Sequence, residues 1–302
     1  MLTCLGVIVL LAGCNGGGGG GATVPPGPFD GQRALSYART FMESGPRVPG
    51  TEAHRRAGDW IVSEMRARAD TVYEQTWWHR LQNGDSIPLR NVVARFQPAV
   101  AERLLYVAHW DSRPVAEKSP DAAQRTQPTP GANDGASGVG LFMALGDLLR
   151  TTPPALGVDL VFVDGEDYGT FAPDVDVLLG STYFARHLPS DPYQPLFGVV
   201  WDLIGEADLR IPQEAHSLRR APEVVDRVWR AAADLGYGNV FVPTATFEIT
   251  DDHLPLLDVG LRVIDVIDLD YQWHHTTDDT TDKLSARSLK VVGDVAWHLL
   301  QR

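Results

Sequence analysis

Carboxylate and histidine side chains follow four apolar runs of the sequence, either directly or in the next loop. They are His109, Asp111, Glu166, Asp167, Asp202, His274 and His275. Imidazole nitrogens and carboxylate oxygens are ligands that zinc accepts, and a catalytic zinc ion keeps one coordination position open. Because both cysteines lie in the first 14 residues, a metal in the folded domain would have only these two ligand types.

Glu166 and Asp167 are the most informative pair. Adjacent carboxylates after a buried strand repel each other unless a cation or a shared proton compensates. We expect one of them to bind metal and the other to stay free, although a solvent-exposed acidic turn is the alternative. His109, in the sequence His-Trp-Asp, could be a ligand oriented by Asp111 or a hydrogen-bonded structural histidine.

Further candidates lie in loops. Asp134, among the small residues 131–138, could be a ligand or a helix N-cap. Asp202 ends an apolar run and needs a metal, a cation or a hydrogen bond as partner. His275 could supply an imidazole with His274 as its rival, and Asp278 or Asp279 could cap a helix that starts at Ser285. The segment from Thr250 through Asp251 and Asp252 to His253 reads equally well as more site carboxylates or as a surface turn and cap.

The elements that must position these side chains alternate between strands and helices. Apolar runs predict buried strands at Leu104–Ala108, Val158–Val163, Phe197–Trp201 and Leu261–Ile267. Helical spacing predicts two helices within 31–69 and further helices at Ser137–Arg150 and Pro222–Leu235. This order favours a single α/β domain with a mostly parallel twisted sheet and helices on both faces. The carboxyl ends of its strands would bring the separate loops to one crevice.

The first 28 residues predict targeting rather than folded structure. An apolar run ends in Leu11-Ala12-Gly13-Cys14 and resembles a bacterial lipoprotein signal, which implies a signal peptide over 1–13 and a lipid on Cys14. Residues 14–28 would form a Gly/Pro-rich tether, and 29–302 the catalytic domain. We therefore expect an extracytoplasmic protein whose only membrane attachment is the lipid. The net charge of −13 argues against nucleic acid as a partner.

Several motifs together resemble the M28 zinc-peptidase superfamily. They are Gly45-Pro46-Arg47-Val48-Pro49-Gly50, His109-Trp110-Asp111-Ser112, the segment 131–138, Asp164-Gly165-Glu166-Asp167, Asp202-Leu203-Ile204-Gly205 and His275-Thr276-Thr277. Within that superfamily, Glu166-Asp167-Tyr168-Gly169, the segment Asp251 to Pro255 and a Trp before the ligand His are similar to the bacterial glutaminyl cyclases. Those enzymes convert the N-terminal glutamine of peptides and proteins to pyroglutamate and release ammonia.

The resemblance implies a role for each residue. Asp134, Asp167 and His275 would hold one zinc ion, Glu166 would move the proton, and Asp251 and Asp202 would form an acid network with it. Trp273 and Phe171 would contact the substrate, although His274 separates Trp273 from the ligand. The alternative is an aminopeptidase of the same fold with two zinc ions, the second held by His109 and Asp202 with Asp134 as the bridge.

Overall fold

A computed structural model describes residues 27–301 and shows a six-stranded sheet between layers of helices. The helices are α1 (Gly31–Met42), α2 (Glu52–Arg66), α3 (Ala136–Thr151), α4 (Leu179–Arg186), α5 (Ala215–Arg220), α6 (Pro222–Asp234), α7 (His253–Asp258) and α8 (Ala286–Leu299). The strands are β1 (Thr71–Arg80), β2 (Ser86–Phe96), β3 (Arg103–His109), β4 (Gly157–Val163), β5 (Thr170–Phe171), β6 (Asp174–Val175), β7 (Phe197–Asp202), β8 (Ile211–Gln213), β9 (Phe241–Ala245) and β10 (Val263–Ile267).

The large sheet has the order β1-β2-β4-β3-β7-β10. Strands β4, β3, β7 and β10 pair in parallel, and these are the four strands that the apolar runs predict. The predicted α/β class with a mostly parallel sheet is therefore confirmed. Since β3, β4 and β7 are neighbours, the loops that follow them meet at one edge of the sheet.

Alternate residues of the central strands face two separate apolar layers. Leu104, Tyr106 and Ala108 of β3 pack against the layer that contains α1, α2, α3, α6 and α8. Leu105 and Val107 pack on the other face with Phe184 of α4 and Leu256 of α7. Burial on both faces explains why these strands are continuous apolar runs rather than alternating ones.

The sequence patterns did not predict the antiparallel hairpin formed by β1 and β2. It adds β2 to β4 in antiparallel orientation and leaves β1 at the edge of the sheet. Strand β1 is partly exposed along its length, and Pro88 interrupts the apolar pattern of β2. Neither strand therefore carries the fully apolar signal of a buried strand.

The structure decides between the alternative roles that the sequence left open for Asp134, Asp279 and Asp252. Gly135, not Asp134, is the N-cap residue of α3, and α8 is capped by the side chain of Ser285 itself. Asp279 instead accepts hydrogen bonds from the loop that carries Asp134. Asp252 holds the N-cap position of α7 without a side-chain hydrogen bond, and it is fully buried rather than part of a surface turn.

The predicted signal segment, Cys14 and the tether up to residue 26 lie outside the described residues. Between residues 27 and 301, no helix has both the length and the apolar character needed to cross a membrane. At the start of the described chain, the backbone N–H of Phe29 donates to Asp294 of α8. The Phe29 ring is buried in the core.

Gly138 sets how closely α3 approaches the strands that carry the site. A Cβ atom there would lie 2.7 Å from Ala108 Cβ and 2.9 Å from the Trp201 carbonyl oxygen. We expect Gly138→Ala to lower the free energy of unfolding by about 1–3 kcal/mol, the usual cost of overpacking. Urea unfolding measures this.

Gly238→Ala is the matched control, because a Cβ atom at Gly238 meets nothing within 4 Å. The urea concentration at the midpoint of its unfolding should equal or slightly exceed that of the unsubstituted protein. Equal midpoints for the two variants would show that α3 does not need the close approach at Gly138.

Candidate metal centre and active site

The loops after β3, β4, β7 and β10 surround a cavity of about 510 Å³. It brings together almost all of the predicted site residues, and those that line it are Asp134, Glu166, Asp167, Phe171, Asp202, Asp251, His274 and His275. His109 and Trp273 are the exceptions. His109 is buried beside Asp134 and Asp202, and Trp273 packs in a small apolar cluster with Leu203 and Tyr271.

His275 lies between two carboxylates. Its Nε2 is 3.3 Å from Asp167 Oδ1 and 3.7 Å from Asp134 Oδ2. Within residues 27–301, the other carboxylate oxygen of Asp167, Oδ2, is buried without a hydrogen-bond partner. A buried carboxylate oxygen without a partner is costly, and a metal ion would satisfy it. Asp134 and His275 can turn ligand atoms to a common point, and Asp167 lies beside His275, so the residue types present fit a zinc ion.

His274 is also within reach of the site. Its Nε2 is 4.0 Å from Asp134 Oδ2, and Asp134, His274 and His275 can each turn one ligand atom toward a common point. Its Nδ1 lies 2.9 Å from Lys118 Nζ. Distance alone thus leaves both histidines as candidates for the imidazole ligand.

A second group of potential ligands consists of His109, Asp134 and Asp202. His109 Nε2 lies 3.0 Å from Asp134 Oδ1 and 3.1 Å from Asp202 Oδ1. Burial alone would lower the pKa of His109, but the charge of Asp202 and hydrogen bonds to the surrounding carboxylates raise it well above its usual value. His109 Nε2 is thus hydrogen-bonded to Asp202 and lies in ion-pair contact with Asp134.

Glu166 is buried beside these groups and points toward the cavity. Its Oε2 is 3.9 Å from His109 Nδ1. Burial, followed by the charge of Asp167, raises the pKa of Glu166 well above the ordinary value of a carboxyl group. A carboxyl group with a raised pKa can act as a general acid as well as a general base.

More carboxyl groups lie behind Glu166. Asp251 is 3% exposed, and Asp252 and Asp265 are fully buried. Burial and then the charge of Asp202 raise the pKa of Asp251 to about 6, and burial with neighbouring carboxylates raises the pKa values of Asp252 and Asp265 further. Groups of this kind are stable in the interior when protons are shared among them.

Two other aspartates bind backbone N–H groups of the loops that carry Glu166, Asp167 and Asp134. Asp111 accepts hydrogen bonds from the N–H groups of Glu166 and Asp167, at 3.1 and 3.2 Å. Asp279 accepts from the N–H groups of Asn133 and Asp134, at 2.9 and 3.2 Å. Because each carboxylate holds two successive N–H groups, each fixes the direction of the side chains that follow.

Arg47 is a buried cation that connects two loops of the site through their backbone carbonyl oxygens. Its fully buried guanidinium donates to the carbonyl oxygens of Trp110, Pro130 and Gly131, at 3.1, 2.6 and 2.7 Å. Burial lowers the pKa of Arg47 to about 10, so it remains a cation at neutral pH. It thus adds a positive charge under the acidic site and holds the loop before Asp111 to the loop before Asp134.

Sequence reasoning missed the cationic wall of the cavity. Arg113 Nη1 donates to Asp167 Oδ1 at 2.8 Å, and Glu117 and Lys118 contact the two histidines. The available signal was the cluster of charges directly after His109-Trp110-Asp111, since a loop that follows a site strand returns over the site. The same applies to Arg47, which the sequence places in a turn without indicating its burial.

Comparison with known proteins identifies the family. The profile of peptidase family M28 matches residues 91–300, which include all the site residues named above except Arg47. The chain belongs to peptidase family M28. This membership implies a zinc-dependent enzyme, in agreement with the ligand types at the site.

Solved structures with the same fold carry two activities. A glutaminyl cyclase of Bacteroides thetaiotaomicron, bound to N-acetylhistamine, matches with a TM-score of 0.87 and 32% identity, over 91% of this chain and 98% of that one. A leucine aminopeptidase precursor of the same organism matches with a TM-score of 0.88 and 32% identity, over 92% of this chain and 98% of that one.

Among curated proteins, a Bos taurus glutaminyl-peptide cyclotransferase is 26% identical over 285 residues, which are 80% of this chain and 74% of the bovine protein. This M28 chain spans only 28% of the length of the first curated relatives that it matches. Family and fold therefore follow from the comparisons, whereas the reaction has to be argued from the site.

Replacing Arg47 tests whether the buried cation supports the site. Arg47→Met leaves the carbonyl oxygens of Trp110, Pro130 and Gly131 without their donor. We expect the free energy of unfolding to fall by about 3–5 kcal/mol, the range for removing a buried charged partner. Urea unfolding of the zinc-free and zinc-loaded protein measures it.

Arg56→Met is the control for loss of an arginine as such. Arg56 is exposed on α2 and should change the free energy of unfolding by no more than about 0.5 kcal/mol. If both variants unfold at the same urea concentration, Arg47 is not the cation that holds these loops.

Proposed function

We propose that the protein is a zinc-dependent glutaminyl-peptide cyclotransferase that acts on peptides and proteins with an N-terminal glutamine. The observation that carries this proposal is the burial of Asp202 and Asp251 with Glu166 at one cavity, which is the acid network that the resemblance to the glutaminyl cyclases implies. Similarity to solved bacterial glutaminyl cyclases and to the bovine protein supports it. In this arrangement Glu166 can act on the substrate's own amine.

The proposed zinc ligands are Asp134, Asp167 and His275. A zinc ion bound by them would supply Lewis-acid polarisation of the γ-carboxamide carbonyl of the substrate. The Arg113 guanidinium, which contacts Asp167, and the Phe171 ring, which lies 6.5 Å from the His275 ring between centroids, form the adjoining wall of the cavity. This wall is where the glutamine side chain would lie.

Glu166 performs the proton transfers in this proposal. It takes a proton from the α-amine, and the amine nitrogen then forms a bond to the carbonyl carbon of the side-chain amide, Cδ. The bond from that carbon to the carboxamide nitrogen breaks, and Glu166 returns the proton to the leaving nitrogen, which departs as ammonia. Atoms and charge balance without a water molecule, and the raised pKa of Glu166 suits both steps.

Asp202 and Asp251 support Glu166 from the buried side. Their negative charges and burial oppose ionisation of the whole group, so that a proton remains shared among the carboxyl groups. A substrate that arrives with a protonated amine can therefore give its proton to a site that already exchanges protons. This shared proton is the reason for the proposed roles of Asp202 and Asp251.

The second candidate function is removal of N-terminal residues by hydrolysis. The geometry of His109, Asp134 and Asp202 supports it, because these three residues can also turn their ligand atoms to a common point. The similarity to a solved leucine aminopeptidase precursor supports it too. In that reaction Glu166 would activate water rather than the substrate amine.

Product analysis separates the two functions. Incubated with a peptide that begins with glutamine, the zinc-loaded protein should release ammonia and leave a peptide that is lighter by one ammonia. Free glutamine and a shortened peptide would instead support the hydrolase. The test needs only mass spectrometry and an ammonia assay.

Glu166→Gln tests the role of Glu166 in whichever reaction is found. The amide keeps the size of the side chain but cannot take up a proton, so turnover should fall by at least the factor of about 10² to 10⁴ associated with a general acid or base. Zinc content, measured by atomic absorption, should stay at the unchanged level. Full activity in this variant would exclude Glu166 as the proton-transferring group.

A further inference from the structure

The two neighbouring histidines of the site have opposite hydrogen-bond partners. His275 Nδ1 lies 2.8 Å from Glu117 Oε1, whereas His274 Nδ1 lies 2.9 Å from Lys118 Nζ. Glu117 and Lys118 are adjacent in the loop that follows β3, about 157 residues away in sequence. One loop therefore presents an acceptor to one imidazole and a donor to the next.

The carboxylate of Glu117 determines which nitrogen of His275 carries a proton. An ionised carboxylate only accepts hydrogen bonds, so the imidazole Nδ1 must be the donor. In the neutral ring the lone pair is then on Nε2, which faces Asp134 and Asp167. Zinc binds a histidine through its unprotonated nitrogen, and a carboxylate on the other nitrogen also makes the ligand more basic.

Lys118 has the reverse effect on His274. An ammonium group has donors and no acceptor, so His274 Nδ1 must accept and its proton lies on Nε2. That nitrogen is the one that faces Asp134, at 4.0 Å from Oδ2. With a proton in this position, His274 can hydrogen-bond to the ligand Asp134 but cannot bind the metal.

The same loop also holds the backbone of the histidine segment. The N–H of Lys118 donates to the carbonyl oxygen of His275 at 3.2 Å, and Ser119 Oγ accepts from the N–H of Thr277 at 3.0 Å. His275 has a φ of 57°, in the left-handed region that residues with a Cβ atom disfavour. These contacts keep the histidine segment in a conformation that it would not adopt alone.

We propose that Glu117 and Lys118 are positioning residues that select His275 over His274 as the zinc ligand by fixing the two imidazoles in opposite tautomers. Glu117 is half-exposed and Lys118 lies at the rim of the cavity, so neither needs to touch the reacting atoms. This inference rests on the zinc site of the proposed function. It does not depend on whether the reaction there is cyclisation or hydrolysis.

Zinc affinity, measured by competition with a chromophoric chelator, tests the role of Glu117. Glu117→Ala should weaken zinc binding about 10- to 100-fold, as expected when the hydrogen-bond partner of a metal-binding histidine is lost. Glu117→Gln should recover much of this loss, because the amide oxygen can still accept from His275 Nδ1. Asp121→Asn, at an exposed position of the same loop where the side chain accepts only from the nearby N–H of Ala123, is the control and should bind zinc as tightly as the unsubstituted protein.

Nitrogen-15 NMR of histidine-labelled, zinc-loaded protein tests the tautomers directly, with signals assigned through His274→Gln and His275→Gln. We expect Nε2 of His275 to be bound to zinc and His274 to be protonated on Nε2. In Lys118→Met, the His274 tautomer should shift toward protonation on Nδ1.

Three results would overturn the proposal. They are unchanged zinc affinity in Glu117→Ala, an affinity of Glu117→Gln as low as that of Glu117→Ala, and a zinc-bound Nε2 of His274. None of these measurements uses a substrate. If zinc is bound through His275 in the predicted way but no ammonia is released from a glutamine peptide, only the proposed reaction fails.

Discussion

The concentration of buried negative charge at the carboxyl edge of the sheet is the constraint on which this structure depends. Carboxyl groups there with less than a tenth of their surface exposed include Asp134, Glu166, Asp167, Asp202, Asp251 and Asp252. Burying one unpaired charge costs several kcal/mol, so such a group is stable only if cations or shared protons compensate. His109, Arg113 and Arg47 supply part of the positive charge, and a zinc ion bound by Asp134, Asp167 and His275 would supply more.

The same constraint explains the direction of the supporting hydrogen bonds. Asp111 and Asp279 lie behind the site, where more negative charge would be unfavourable if it were unpaired. Each instead accepts from two backbone N–H groups and so is satisfied while it orients a ligand loop. Arg47 completes this layer by donating to backbone carbonyl oxygens, which allows its charge to act on the site without a rigid ion pair. The same hydrogen bonds thus orient the loops of the site and satisfy the buried charges of Asp111, Asp279 and Arg47.

The sequence was sufficient for the central strands and for most site residues, because buried parallel strands are continuous apolar runs and their loops meet at one edge. The sequence was insufficient for elements and contacts that no periodic pattern of apolar residues marks. The β1–β2 hairpin is partly exposed, Trp273 packs away from the cavity, and Asp279 serves the Asp134 loop rather than a helix end. Glu117 and Lys118 lie in an irregular loop, and only the folded chain brings them to His275 and His274. No local pattern encodes such contacts.

The central claim is that this acidic edge holds zinc through Asp134, Asp167 and His275. Anomalous diffraction from crystals of the zinc-loaded protein, recorded on both sides of the zinc absorption edge, tests it most directly. The account predicts a strong peak within bonding distance of one carboxylate oxygen from each aspartate and of His275 Nε2. A peak bound by His274 in place of His275, or no peak between Asp134 and Asp167, would contradict it.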